Sequence, residues 1–488
     1  MINLNINEKA RKNNINRCRE KKIVIPTFSQ MKDPESLPIE TKKRLEPVGL
    51  WDVNPLNLFR ITWKNEPKEM GGGFDKVNYI ELPSSLTGVR ARIIALVGKW
   101  FPTGAHKVGA TFGCLAPAII SGNFDSTQQK AVWPSTGNFC RGGAFNSALF
   151  GCQSVAILPE GMSKERFDWL KRLAGEVIAT AGSESNVKEI FDKCWELKAH
   201  RKDIMIFNQF EELGNYLWHY EVTANAIAEV FEGIRDLNNS LNLVGFVSCT
   251  GSAGTIAAGD FLKQKYPSVK IAAAEALQCP TLLQNGFGSH RIEGIGDKHV
   301  PWIHNVKNTD FVIDVDDNDC LELMRLFNEE QGKDYLIKNG VEGQIVSRLN
   351  LLGISGVANV LGAIKLAKYL DLKENDVVAT ILTDSMQLYG SRVEEMRAAH
   401  GKYTEADAVR AFFTSCLGED TSNMLELDNN ERKRIHNLKY FTWIEQQKKD
   451  LRELNAQWSD PGYWTGIQEL TPRIDTMIKE FNAEVAST

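Results

Sequence analysis

Short apolar runs alternate with amphipathic stretches from about residue 90 to residue 394. Residues 92–97 (RIIALV) are an unbroken apolar run of strand length, which predicts a strand buried on both faces, with 100–106 as the loop that follows. Further strands are predicted at 131–133, 154–158, 176–180, 205–207, 243–248, 269–274 and 377–383. Between them, 142–150, 163–173, 187–198 and 215–231 carry the spacing of helices. Strands alternating with helices predict an α/β fold of parallel sheets with crossover helices.

The two ends read differently. Residues 1–80 have weak periodicity, several prolines and a Gly71-Gly72-Gly73 run, which predict an extension that wraps the core and has no core of its own. The basic residues from Lys9 to Lys22 read as a solvated arm. Residues 403–488 are charged, bear tryptophan and read as helical without a strand. The expected division is 1–85, 86–395 and 396–488, with two intertwined α/β subdomains in the middle part.

Composition narrows the function classes. The chain has 488 residues, 43% hydrophobic and 24% charged, with a formal net charge of -5. Such a balance gives no electrostatic footprint for nucleic acid. No run approaches the roughly 18 apolar residues of a membrane span, and Met1–Lys22 lacks the apolar stretch of a secretory signal. Nine cysteines without a C-x-x-C pair read as reduced packing thiols of a cytoplasmic protein, and no metal site is expected.

Three loops, each after a predicted strand, carry candidate chemistry. The first is PTGAHKVGA at 102–110, which places Lys107 among small residues at the start of a helix. The second, Ser135-Thr136-Gly137-Asn138, runs into Arg141-Gly142-Gly143 and puts hydroxyls, a glycine and an amide before a helix, a natural anion site. The third is Thr250-Gly251-Ser252-Ala253-Gly254-Thr255, in which glycines let several N–H groups converge on an anion. It has neither the lysine of a P-loop nor dinucleotide G-x-G-x-x-G spacing. A phosphate cradle without a nucleotide motif, together with a lysine, suggests pyridoxal phosphate, which needs an amine for its Schiff base.

From about residue 90 to 392 the chain resembles the cysteine synthase group of fold-type-II pyridoxal-phosphate enzymes, in the tryptophan synthase beta superfamily. The matching motifs occur in order: Pro102 to Lys107, Ser135 to Asn138, Met162 to Arg166, Asn208-Gln209-Phe210, Asn215, His219-Tyr220-Glu221, Thr250 to Thr255, His290 to Gly296, and Gly353-Ile354-Ser355. The resemblance implies that Lys107 carries the cofactor and later moves the substrate Cα proton. It implies that Asn138 bonds the cofactor's ring oxygen, that Ser135, Thr136, Gly137 and Gln209 bind the substrate carboxylate, and that Thr250, Gly251, Ser252, Ala253, Gly254 and Thr255 hold the phosphate.

Three departures stand against the family pattern. Where the family places a serine against the ring nitrogen, the spacing puts Asp384, with Ser385 one step away. Where the family has Gly-Ala-Gly at the substrate mouth, this chain has Gly296-Asp297-Lys298-His299, so a charged substrate could be selected there. His106 stands where a smaller or apolar residue is usual, which reads as packing or positioning. The resemblance implies β-elimination or β-replacement at Cβ of a cysteine- or serine-type amino acid by a homodimer. Other reactions of the same cofactor, such as racemisation or thiolysis, and a non-catalytic binding role remain as alternatives.

Overall fold

The computed structural model describes residues 2–67, 72–135, 137–182 and 186–487. Eleven strands form two sheets. The small sheet contains β3 (Lys130–Pro134), β4 (Ser154–Pro159), β5 (Glu176–Thr180) and β6 (Ile204–Ile206) in the order β5-β4-β3-β6, all parallel. The large sheet contains β1 (Tyr79–Leu82), β2 (Arg92–Val97), β7 (Asn242–Cys249), β8 (Lys270–Ala276), β9 (Phe311–Val315), β10 (Asp376–Leu382) and β11 (Met424–Glu426), ordered β1-β2-β10-β7-β8-β9-β11. Its two edge strands are antiparallel and its interior is parallel. The apolar run 92–97 is inside because β2 has neighbours on both sides and helices over both faces.

Position in the sheet explains the site. Strand β10 comes late in sequence yet inserts between β2 and β7. The loops that follow these three parallel strands therefore meet at their carboxyl ends, where α/β sheets present ligand crevices.

Three strands escape the sequence reading. Strand β1 is short and flanked by Pro83 and polar residues, and β9 (FVIDV) is a clear apolar run. Strand β11 corrects the expectation that 403–488 has no strand; only its pairing with β9 makes so short a segment regular. The expected basic arm is also corrected. Glu8–Lys21 is a helix capped by Asn7, whose side chain accepts from the Ala10 N–H. Its basic residues face outward while Ala10, Asn14, Ile15 and Cys18 are buried. Asn14 donates to the Ile119 and Phe124 carbonyls at 2.8 and 2.7 Å, and Arg11 pairs with Glu484 at 2.6 Å. Leu4, Phe28 and Phe481 belong to one hydrophobic core with Phe112 and Trp133, so the N- and C-terminal segments pack onto the α/β layers. All nine cysteines are free and buried, and no described helix is long and apolar enough to cross a membrane.

A buried acid pair ties β8 to β9. Glu275 and Asp314 stand opposite each other in register, and the Glu275 oxygens accept from the Leu282 and Leu283 N–H groups at 2.9–3.0 Å. Burial pushes both carboxyls up, and the neighbouring acid adds to the effect on Glu275. The folded protein therefore holds protons that the unfolded chain releases. The stability linked to the pair is complete below the ordinary carboxylate range and is lost as pH rises through the folded values. Asp314→Asn is expected to remove the share of that loss that belongs to Asp314 and to its effect on Glu275, a change on the order of a few kcal/mol. Urea unfolding at pH 5 and pH 8 checks it, and an unchanged pH slope in the variant would refute the assignment.

Candidate active site

Lys107 opens the helix Lys107–Ser121, directly after the loop that follows β2. Its ammonium donates to Ser252 Oγ at 3.0 Å, so the first and third loops of the sequence reading meet. The loop reaches this place through strained backbone: Thr103 has φ 70° and, across the site, Ala253 has φ 60°. Left-handed residues other than glycine cost energy and concentrate at functional sites.

Thr250 to Thr255 follow β7 as a cradle. No backbone N–H from Gly251 to Ile256 donates to an acceptor in the described residues. Asn215 Nδ2 donates to Ser252 Oγ and to the Gln209 carbonyl, both at 3.0 Å, and a Cβ on Gly254 would come 2.2 Å from Asn215 Oδ1. A Cβ on Gly251 would come 2.5 Å from the Gly294 carbonyl oxygen, so no larger residue fits there. A row of unpaired buried N–H groups is costly unless an anion meets it, and a phosphate has oxygens enough to do so.

The second loop follows β3. Gln209 Nε2 donates to Ser135 Oγ at 3.2 Å, which brings two of the residues read for the substrate carboxylate together. Thr136 lies outside the described residues. Gly137, at φ 158° and ψ -83°, leads into the helix Asn138–Leu149, and a Cβ there would come 2.3 Å from Arg166 Nη1. Only glycine tolerates both the backbone and that contact.

Asn138 Nδ2 donates to Asp384 Oδ2 at 2.6 Å, and the Tyr389 hydroxyl donates to the same oxygen at 2.8 Å. Asp384 is wholly buried and its other oxygen packs against Gly353, where a Cβ would come within 1.8 Å. Burial pushes its carboxyl up, against the pull of Arg166, Asn138, Tyr389 and Arg141. The Ser385 hydroxyl, one residue on, has no side-chain bond to the described residues. Ser385 lines a cleft of about 730 Å³ with Lys99, Trp100 and, from the N-terminal extension, Trp51 and Asp52.

Sequence reading missed how densely charged this wall is. Arg166 pairs with Glu293 at 2.8 Å and donates to the Tyr389 hydroxyl at 3.1 Å. Glu293 also takes Arg392 Nε at 2.6 Å. Arg141 lies against Trp51 and Trp169, 5.5 and 4.9 Å from the ring centroids, and burial lowers its guanidinium to about 9. Arg141 and Arg166 were visible within motifs, but a charge inside an apolar helix gives no hint of the partner that meets it across the fold. His106 is buried between Trp63 and His219, with ring centroids 5.5 and 5.0 Å away. Burial holds it well below the usual imidazole range, with help from the Lys107 charge. It thus stays neutral and packs. No group of three or more potential ligands is placed to hold a metal among the described residues.

The chain matches a family model described as pyridoxal-phosphate dependent enzyme over residues 99–334, a span holding all three loops but ending before Asp384. It is 31% identical to cysteine synthase B of Campylobacter jejuni over 291 residues, 59% of this chain and 86% of that protein. Cystathionine beta-synthase of Saccharomyces cerevisiae is 25% identical over 378 residues, 76% of this chain and 71% of that protein. In structure, O-acetylserine sulfhydrylase isoform 3 from Entamoeba histolytica superposes with a TM-score of 0.55 at 23% identity, covering 70% of this chain and 93% of that one. That likeness concerns the fold, whereas the match to the Campylobacter protein covers most of the relative's length. The chain therefore belongs to the pyridoxal-phosphate dependent enzymes of the cysteine synthase type, with the fold-type-II architecture and pyridoxal phosphate as its cofactor.

Proposed function

We propose that this chain catalyses β-replacement or β-elimination at Cβ of a serine- or cysteine-type amino acid. The observation that carries the proposal is the Lys107 ammonium 3.0 Å from Ser252, inside a loop whose N–H groups lack protein acceptors. The named activities of the relatives agree with it: cysteine synthase and cystathionine beta-synthase. Racemisation and thiolysis are the readings that the same residues would also serve.

The residues take the following parts. The N–H groups of Gly251 to Thr255, with the Ser252 hydroxyl, would hold the cofactor phosphate and Lys107 its aldehyde carbon, while Thr250 donates its hydroxyl to the Ala274 carbonyl and shapes the loop. Asn138, fixed by Asp384, bonds the ring oxygen. Asp384 and Ser385 would lie toward the ring nitrogen, the first a buried carboxyl held by Asn138 and Tyr389 and the second a hydroxyl. Ser135, Thr136, Gly137 and Gln209 hold the substrate carboxylate. When bound, pyridoxal phosphate supplies the electron sink that lets the Cα–H bond and the bond to the β-substituent break. Lys107 Nζ takes the Cα proton, and the carboxylate loop keeps Cα within its reach.

A panel of serine, cysteine, O-acetylserine and alanine, with amino-acid and keto-acid products quantified, tests the reaction class. Racemised alanine without β-products would overturn the proposal. Gln209→Ala is expected to weaken substrate binding by roughly 1.5–3 kcal/mol, tenfold or more, while the cofactor stays bound. Loss of cofactor with unchanged substrate affinity would exchange the roles of the two anion loops. Ser385→Ala and Asp384→Asn, compared by cofactor absorbance, decide which side chain meets the ring nitrogen. The proposal also takes in the division 1–85, 86–395 and 396–488 and a cytoplasmic homodimer; light scattering should return about twice 54.7 kDa.

A further inference from the structure

A second buried titratable side chain, Asp297, lies in the segment that packs on the cradle. The segment after His290 folds back over the phosphate loop: the Gly296 N–H donates to the Thr250 carbonyl at 2.9 Å, and the Gly294 carbonyl abuts Gly251. His290 Nε2 bonds the Gly296 carbonyl at 2.7 Å, and the Thr281 hydroxyl donates to the Asp297 carbonyl at 2.8 Å. Residue 297 is thus pinned from two sides at the edge of the cofactor cradle. Asp297 is only 7% exposed. Among the described residues no hydrogen bond to its carboxylate is formed, and the Lys107 charge acts on it.

We propose that Asp297 is a second catalytic acid–base group, serving the β-substituent while Lys107 serves Cα, and that the enzyme therefore takes amino acids whose leaving group needs a proton: a β-hydroxyl or β-thiol. This rests on the β-chemistry proposed above and names its substrate class. A hydroxide or thiolate leaves poorly as an anion, whereas an acetate or chloride leaves unaided. As the bond from Cβ to oxygen or sulfur breaks, its electron pair departs with the heteroatom, and the Asp297 carboxylic acid gives that atom its proton. In replacement, the resulting carboxylate takes the proton of the incoming thiol or hydroxyl as the new bond to Cβ forms. The acid is then restored, and no outside oxidant or reductant is required.

The electrostatics suit both halves. Burial pushes the Asp297 carboxyl up to about 8, and the Lys107 charge opposes that rise, so acid and carboxylate interconvert near neutral pH. The other titratable groups around it are the Cys279 thiol, itself raised by burial, and His290, lowered by burial and held on the Gly296 carbonyl. Lys298 follows in sequence.

Asp297→Asn keeps the shape and removes the proton. Wild type and variant are loaded with pyridoxal phosphate and given four substrates: serine, cysteine, O-acetylserine and β-chloroalanine. Turnover of serine and cysteine by the variant is expected to fall about 10²–10⁴-fold. Turnover of O-acetylserine and β-chloroalanine should stay within a few-fold, as should exchange of the alanine Cα proton with deuterated water, which needs Lys107 alone. On the apo-protein, infrared difference spectra should lose one carboxylic-acid band in the variant near pH 7. Equal losses on all four substrates, or none on serine and cysteine, would overturn the role of Asp297 while leaving the β-chemistry intact. A wild type inactive on all four would instead remove the β-chemistry and the proposal with it.

Discussion

Replacing Lys107 with alanine is expected to cost about 10²–10⁴-fold in turnover through loss of the base alone, and more through loss of covalent cofactor attachment. Three observations meet at this residue. It opens a helix after β2, it lies 3.0 Å from Ser252 in the anion cradle, and it falls within the matched family span. The protein should bind pyridoxal phosphate with an absorbance in the visible range, and borohydride should fix the cofactor to the chain. Peptide mapping should then find the label on Lys107, and the variant should carry none. A label on any other lysine would remove Lys107 from its role and leave its bond to Ser252 a structural one.

The largest expected loss of stability follows Glu293→Ala. The Glu293 and Arg166 side chains are 4% and 1% exposed and lie 2.8 Å apart. Removing the carboxylate takes away the countercharge at 2.8 Å and leaves the buried Arg166 guanidinium to weaker partners, the Tyr389 hydroxyl at 3.1 Å among them. Breaking a buried pair in this way costs about 3–5 kcal/mol. The loss should extend to the site. Arg166 packs on Gly137 of the loop proposed for the substrate carboxylate, and Glu293 is adjacent to Gly294, which abuts Gly251. Urea midpoints should fall sharply, and any folded variant should bind substrate more weakly. A change below about 1 kcal/mol would mean that water already screens the pair. The pair also ties the segment after β4 to the large sheet, as do Glu165 with Ser391 at 2.7–2.8 Å and Arg392 with the Gly161 carbonyl at 2.8 Å. The two sheets therefore meet across charges placed beside the substrate loop.

Much of the core could be read directly because its signals are local. Residues 92–97 and 154–158 are apolar runs of strand length, and both are strands, the first with the bounds read from the sequence. The glycines of 250–255 mark a loop where backbone must approach a ligand, and that loop holds the unpaired N–H groups. The pairing of Gln209 with Ser135 was legible only as two separate motifs. The basic run from Lys9 to Lys22 misled because lysines and arginines dominate its composition. Four inward positions decide that helix, and Asn14 is satisfied by groups more than a hundred residues away, the Ile119 and Phe124 carbonyls and the N–H and hydroxyl of Ser126.

By itself, the sequence determined the order of strands and helices, the lysine loop, the anion cradle and the unusual acids at 297 and 384. These follow from periodicity, from glycine's backbone freedom and from the chemistry of each side chain. Tertiary structure alone decided that β10 lies between β2 and β7, because sheet order is set by which apolar faces can be buried together and not by position in the chain. That insertion brings residues 383–385 beside the loop of Lys107, where the His106 N–H donates to the Thr383 carbonyl at 3.2 Å. It also decided that Asp384 holds Asn138, that Arg166 meets Glu293, and that the segment before Asp297 is tied to Thr250 of the cradle. Each of these pairs joins residues far apart in sequence, so the energy that selects them exists only once the chain has closed around them.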